Sequence, residues 1–369
     1  MSTIIPIFTL IIIAFYSLMI ITFAIAFIIN KVSENIQNSS EFVSVIIACR
    51  NEEANISHLI ESLLQQEYTP NFEIIIVNDH SEDKTLEIIR HYNDTRIKLL
   101  ELPDNMLGKK SALRFGVLNS NGTVLLFTDA DCIVPINWIK NMAGAMLISN
   151  TEMLCGPVAF KENKSIFNKL FRLEFMSLTG SGAAGFFIGH PFMCNGANYA
   201  IYKSCYLRSI DKINDKYSSG DDVFLLHEIS KNKSAYFLKN KNTTVITNAP
   251  ENLKAFFSQR IRWASKTTGY THTFAIIVAI LTFITSIILI ALPLAAMFYS
   301  ELWFLVLLIF ISKTILDISF LLPVSKFYNE PKLTFLVPLL QVFYPFYIVI
   351  TAVFSLFYKP NWKGRRIKR

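Results

Sequence analysis

Four long apolar blocks constrain this chain of 369 residues more than any other feature. The first runs from Ile4 to Ile29 without a charged residue, long enough to cross a bilayer as a helix. The others lie at roughly 274–298, 302–322 and 333–357. The leading block has no basic n-region and no small-residue cleavage site, so it reads as a retained anchor and not as a signal peptide. The stretch between, about 32–266, has ordinary globular composition and is long enough to bury its own core. The expected organisation is an anchor over 1–30, a soluble domain over 31–266, membrane or interfacial helices over 267–358 and a basic tail over 359–369.

The net charge is +7, and its placement gives it meaning. Arg260, Arg262 and Lys266 precede the second apolar block, and Lys359, Lys363, Arg365, Arg366, Lys368 and Arg369 follow the last. Basic residues beside membrane spans follow the positive-inside rule, which puts the soluble domain in the cytoplasm of an integral plasma-membrane protein. The soluble domain intersperses acids and bases, so no nucleic-acid partner is expected. All five cysteines fall in that domain without C-x-x-C spacing, as in a reducing compartment. A fourth full crossing would put the most basic tail outside, and Pro338 and Pro345 are helix breakers. The last block is therefore expected to span, to re-enter or to lie in the interface. Lys313 and Asp317, four apart inside the third block, are expected to neutralise each other, with a place in an acceptor path as the alternative.

The soluble domain alternates strand and helix patterns, which predicts an α/β fold with a mostly parallel sheet. Strands are expected at 42–47, 72–77, 97–100 and 124–128, with helices at about 56–66, 85–91 and 109–118. Three of these strands end in polar loops: Ala48-Cys-Arg-Asn-Glu52, Asn78-Asp79-His80-Ser81 and Asp129-Ala-Asp131. At the carboxyl ends of strands in an open sheet, such loops share the ligand-binding edge. Two acids one residue apart can hold a hard divalent cation that bridges nucleotide phosphates; the alternative is a solvated turn. Asp79 reads equally as a helix cap. Lys109 at a helix start opposes the macrodipole, which an anionic phosphate nearby would explain. Asp221 and Asp222 follow the turn Ser218-Ser-Gly220 and open an apolar helix, where acids are also ordinary caps. Gln259, Arg262 and Trp263, spaced i, i+3 and i+4, share one helix face and are either interfacial anchors or site residues. Phe167, Leu170, Phe171, Phe175 and Leu178 recur at helical spacing, as core or as a surface-lying helix. Cys194 reads as packing, and His80 and His190 fit no metal-ligand spacing.

Taken together, these segments resemble family 2 glycosyltransferases. The resemblance rests on Ser44-Val-Ile-Ile-Ala48 with Arg50-Asn-Glu52, Ile76-Val-Asn-Asp79 with Ser81 and Asp83-Lys-Thr85, and Gly108-Lys-Lys110 with Ala112-Leu113. It continues through Asp129-Ala-Asp131, Gly220-Asp-Asp222 and Gln259-Arg-Ile-Arg-Trp263, in the family's order. It implies a GT-A fold, a nucleotide-sugar donor (UDP-sugar favoured, GDP-sugar the alternative), Mg2+ or Mn2+, and inversion at the anomeric carbon. By the same resemblance Asp79, Asp129, Lys109, Arg50 and Glu52 bind the donor, and Asp131 with Asp129 holds the metal. Asp222, with Asp221 beside it, is implied as catalytic base; this chain has Asp-Asp where the family usually has Glu-Asp. Gln259, Arg262, Trp263 and Gly196 would border the acceptor and the diphosphate, Gly196 within Phe192-Met-Cys-Asn-Gly196-Ala-Asn198. That loop departs from the aromatic-rich cellulose synthase form. The expected enzyme glycosylates a lipid or glycan acceptor at the membrane. A processive polysaccharide synthase, a nucleotidyltransferase and a non-catalytic nucleotide-binding module are the alternatives.

Overall fold

The structure is a computed structural model and describes residues 4–33, 36, 39–69, 71–212, 220–232, 234–357, 361–363 and 365–366. Ser218, Ser219, Lys359, Lys368 and Arg369 lie outside the described residues. The chain divides into two compact units. One comprises Met1–Asn30, Glu162–Ile188 and Pro250–Pro360; the other comprises Lys31–Lys161, Gly189–Ala249 and Asn361–Arg369.

The second of these units is built on a seven-stranded sheet. Its strand order is Ile97–Glu101, Phe72–Asn78, Val43–Cys49, Val124–Phe127, Tyr199–Tyr202, Met153–Cys155, Ala235–Phe237. The first four are mutually parallel, with Val43 opposite both Phe72 and Val124. Tyr199–Tyr202 runs antiparallel to both of its neighbours. The mostly parallel α/β sheet expected from the alternating pattern is the one that forms. Strands Val43–Cys49, Phe72–Asn78 and Val124–Phe127 are runs of β-branched and aromatic residues buried along most of their length, as strands with both faces covered must be. Helices Ile56–Leu64, Thr85–Arg90 and Lys109–Leu118 make the crossovers. After Lys109–Leu118 the chain returns past two strands and pairs on the far side of Val43–Cys49. The strand order therefore reverses beside that first strand. Open α/β sheets bind ligands at such a reversal, outside the carboxyl ends of the strands. A smaller sheet, Cys132–Ile133, Val245–Thr247 and Val158–Phe160, continues directly after the acidic triplet.

The other unit is helical: Ile4–Ile29, Ile166–Phe187, Leu253–Ala264, Thr273–Ala296, Leu302–Phe327 and Val337–Phe357. Four stretches, Pro6–Ile29, Thr273–Ala296, Leu302–Phe327 and Pro331–Phe357, are long and apolar enough to cross a membrane. Their outward sides carry large apolar groups such as Leu294 and Phe304, which suit contact with lipid. Pro338 and Pro345 do not break the last helix. Pro338 sits in its first turn, where no N–H is needed, and Pro345 is carried inside it. Phe23 packs its ring 6.4 Å from Phe274 and 6.2 Å from Phe320, joining three of the apolar helices.

Inside this bundle Lys313 Nζ donates to Asp317 Oδ2 at 2.6 Å and to Gln341 Oε1 at 2.9 Å. Tyr16 donates to Asp317 Oδ1 at 2.9 Å. These two charges among the apolar helices thus pair with each other, as their i, i+4 spacing predicts. Ile166–Phe187, which holds the Phe167–Leu178 pattern, belongs to the helical unit; Phe171 and Phe175 are buried there, and Phe167 is exposed.

Candidate active site

At the reversal point, the loops after the first two strands are braced against each other. Arg50 is buried, and its Nη1 donates to the carbonyl of Asp79 at 2.8 Å and also to that of His80. Its Nη2 pairs with Glu82 at 2.8 Å. The guanidinium thus holds the second loop in shape. Asn51 and His80 both take positive φ (51° and 54°), so each loop turns sharply away from its strand. Asp79 is almost wholly buried and does not cap the following helix, whose N-cap is Lys84; its Oδ2 instead accepts the Gly108 N–H at 3.1 Å. Gly108 makes this possible, because its φ of +92° is one that only glycine adopts readily. The donation fixes the start of Lys109–Leu118 and so aims Lys109.

Lys109 is the hub. Its ammonium is ion-paired with Asp129. Burial pulls its pKa down, but Asp129 and then Asp222 and Asp221 outweigh burial and leave it raised. One cation therefore lies in the field of acid pairs about ninety residues apart in sequence. Asp131 is raised to about 6, by burial first and then by the charges of Asp129 and Glu52; Lys109 and the Thr247 hydroxyl pull it the other way. Thr247 donates to Asp131 Oδ2 at 3.2 Å from the middle strand of the small sheet. Asp131 lines a cleft of about 200 Å³ with Asn55, His58, Lys161 and Thr247. Glu52 accepts from Asn55 at 2.9 Å and pairs with Lys363 at 2.9 Å.

Asp221 and Asp222 occupy the first turn of Asp221–Ser230, directly after its N-cap Gly220. A Cβ on Gly196 would lie 3.1 Å from Asp222 Oδ2, so only a glycine lets the 192–198 loop pass the carboxylate without a shift. Asn198 anchors that loop: its amide donates to the carbonyls of Pro157 and Thr243, each at 2.8 Å, and it accepts from Trp138 at 2.9 Å. Thr247 and Lys363 were not singled out in the sequence. Thr247 carries no motif, and Lys363 looks like one more membrane-flanking base.

Among the described residues, no three His, Cys, Asp or Glu side chains converge as a metal-binding group. Asp131 and Asp129 nonetheless offer all-oxygen ligation, which suits a hard cation completed by phosphate and water. The Asp131 carboxyl is raised by burial first and by the neighbouring acids second, and a divalent cation would offset both by favouring its ionised form. Gln259, Arg262 and Trp263 stand on Leu253–Ala264, in the helical unit.

Residues 44–208 match the model of the Glycosyl transferase family 2. The chain carries a family 2 glycosyltransferase domain. A dolichyl-phosphate β-glucosyltransferase of Trichomonas vaginalis is 30% identical to it over 150 residues, covering 37% of this chain and 46% of that protein. The poly-β-1,6-N-acetyl-D-glucosamine synthase of Staphylococcus epidermidis is 25% identical over 239 residues, covering 61% of this chain and 54% of that protein. The chain thus spans about half the length of these relatives. A mannosyltransferase from Pyrobaculum calidifontis, solved with GDP-Man and Mn2+, superposes with a TM-score of 0.58 at 15% identity, covering 96% of this chain and 99% of that one. The glycosyltransferase domain therefore has a GT-A-like α/β fold, accompanied in the chain by four apolar helices long enough to span a membrane.

Proposed function

We propose that this protein is a membrane-embedded inverting glycosyltransferase, with its catalytic domain in the cytoplasm. It moves a sugar from a nucleotide diphosphate sugar, UDP-linked in preference to GDP-linked, to a lipid or glycan acceptor at the plasma membrane. The observation that carries this reading is Lys109, whose ammonium feels both the Asp129 and the Asp221–Asp222 carboxylates.

In this reading Asp79, Arg50 and Glu52 form the nucleoside end, with Arg50 acting through the loop it braces. Asp131, with Asp129, would hold Mg2+ or Mn2+, which when bound would stabilise charge on the diphosphate. Lys109 adds a second positive charge beside the same oxygens. The Asp222 carboxylate takes the proton of the acceptor hydroxyl as its oxygen attacks the anomeric carbon. The bond from that carbon to the phosphate oxygen breaks in the same displacement, and the nucleoside diphosphate leaves with the electron pair. One displacement inverts the configuration. Gln259, Arg262 and Trp263 form the acceptor end. The domain assignments of the sequence reading, 1–30, 31–266, 267–358 and 359–369, are part of this proposal.

The test is turnover by the purified full-length protein with labelled nucleotide sugars and membrane lipid extract. Metal-dependent release of nucleoside diphosphate, abolished by Asp222→Asn while nucleotide binding survives, is the expected result. Release of pyrophosphate, or full function in Asp222→Asn, would sink it. The synthase relative makes product length the second measurement: lipid-sized product is expected, and polymer would mark a processive enzyme.

A further inference from the structure

The motif helix Leu253–Ala264 contains a residue that motif reading passes over. Arg260 stands between Gln259 and Trp263 and is buried (3% exposed). Its Nε donates to Glu174 Oε1 at 3.0 Å and its Nη2 pairs with Glu174 Oε2. Glu174 is equally buried, on Ile166–Phe187, and also accepts the Tyr347 hydroxyl at 2.9 Å from the last apolar helix. Three helices therefore converge on one carboxylate. The guanidinium is sandwiched as well, 4.6 Å from the Phe256 ring and 4.3 Å from the Trp263 ring. Its Nη1 donates to Gln259 Oε1.

A buried ion pair is weak evidence for stability, because desolvation of both charges offsets most of their attraction. This pair has a more specific result: one planar cation touches two of the three motif side chains at once. It stacks on the Trp263 indole and so limits its rotation. It also takes the oxygen of the Gln259 amide, so the NH2 is the end that Gln259 can offer elsewhere. That end is a donor, which matches a hydroxyl or phosphate oxygen.

We propose that Arg260, held by Glu174 and Tyr347, is a positioning residue that fixes Trp263 and turns the Gln259 amide to present its N–H donors to an oxygen-bearing acceptor. This rests on the reading of Gln259, Arg262 and Trp263 as the acceptor end. A lysine cannot replace the arginine, because an ammonium lacks the planar fork that pairs with Glu174 while facing two rings.

The test compares Arg260→Lys, Tyr347→Phe, Gln259→Glu, Gln259→Ala and Trp263→Ala in the full-length protein in lipid nanodiscs. Readouts are acceptor KM, kcat, nucleoside diphosphate affinity, and the Trp263 emission taken as the difference from a Trp263→Phe counterpart. Arg260→Lys is expected to reduce kcat/KM for the acceptor about ten-fold or more, since small misplacements at a reacting centre are costly. Its Trp263 emission shifts, and nucleotide affinity stays within about two-fold of the parent. Gln259→Glu, which keeps the Arg260 contact but offers no donor, is expected to fail as Gln259→Ala does. Tyr347→Phe gives a smaller change in the same direction and carries the test if Arg260→Lys does not fold. If Gln259→Ala and Trp263→Ala impair transfer while Arg260→Lys and Tyr347→Phe leave both transfer and emission unchanged, the positioning role is overturned and the acceptor reading stands. If Gln259→Ala and Trp263→Ala are harmless, the acceptor reading itself fails.

Discussion

Asp222 and Gly196 show how closely single side chains are placed around the proposed reaction centre. A methyl group at Gly196 would press on Asp222 Oδ2 at 3.1 Å. Gly196→Ala is therefore expected to cut kcat about ten-fold by displacing the base, with donor KM unchanged and the melting temperature near that of the parent. Steady-state kinetics beside a thermal melt checks this. Asp221→Asn is expected to retain far more activity than Asp222→Asn, because only the second acid is assigned the proton. At this scale the sequence marked candidate residues and was silent about what they touch. The acids were legible because carboxylates at strand ends and helix starts stand out against apolar runs. Arg50 stood out as a candidate, but its bonds to the Asp79 and His80 carbonyls depend on loop dihedrals that no pattern encodes. Glu174 and Arg260 were hidden by distance, 86 residues apart with nothing in either segment to announce the other.

Among elements, the strands and crossover helices followed their periodicity closely. Lys109–Leu118 forms over the residues its pattern predicts, and Val43–Cys49 and Phe72–Asn78 run slightly past their predicted ends into the site. The exception was the last apolar block, where two prolines read as breakers. Position explains Pro338: a proline in the first turn removes an N–H that has no partner anyway, whereas Pro345 is carried in the helix interior. The edge strand Ile97–Glu101 is entered through a turn in which Asp94 accepts from Arg96 N at 2.9 Å and from its Nε at 3.0 Å. Those bonds hold the Asp94 carboxyl down at about 2. A carboxyl lowered in the folded state stabilises above its ordinary value near 3.8, and that contribution fades as pH falls toward about 2. Asp94→Asn is thus expected to be less stable than the parent at pH 7, with the gap closing as pH falls from about 4 to about 2. Urea titrations across that range measure it.

For the whole molecule, the sequence divided along hydropathy, whereas packing groups the chain by contact. Glu162–Ile188 and the motif helix cluster with the apolar helices because their aromatic faces meet there, as in the stacked rings of Phe171 and Phe256 at 4.4 Å. Composition alone hides this, since both segments are as polar as a soluble domain requires. The Lys313–Asp317 pair is a second test at this scale. Removing one partner leaves a charge among apolar helices, so Lys313→Leu is expected to cost about 3 kcal/mol or more. Lys313→Leu with Asp317→Leu is expected to recover at least half of that loss, read by thermal melts in detergent. The Arg50 clamp has a consequence for how the protein meets its donor. Because the Arg50 guanidinium already ties its loop to the Asp79 and His80 carbonyls of the other, an incoming nucleotide is expected to find a rigid socket. Encounter rather than loop rearrangement is then expected to govern how fast it is captured, so that rates read by rapid mixing should rise in direct proportion to nucleotide concentration with no plateau.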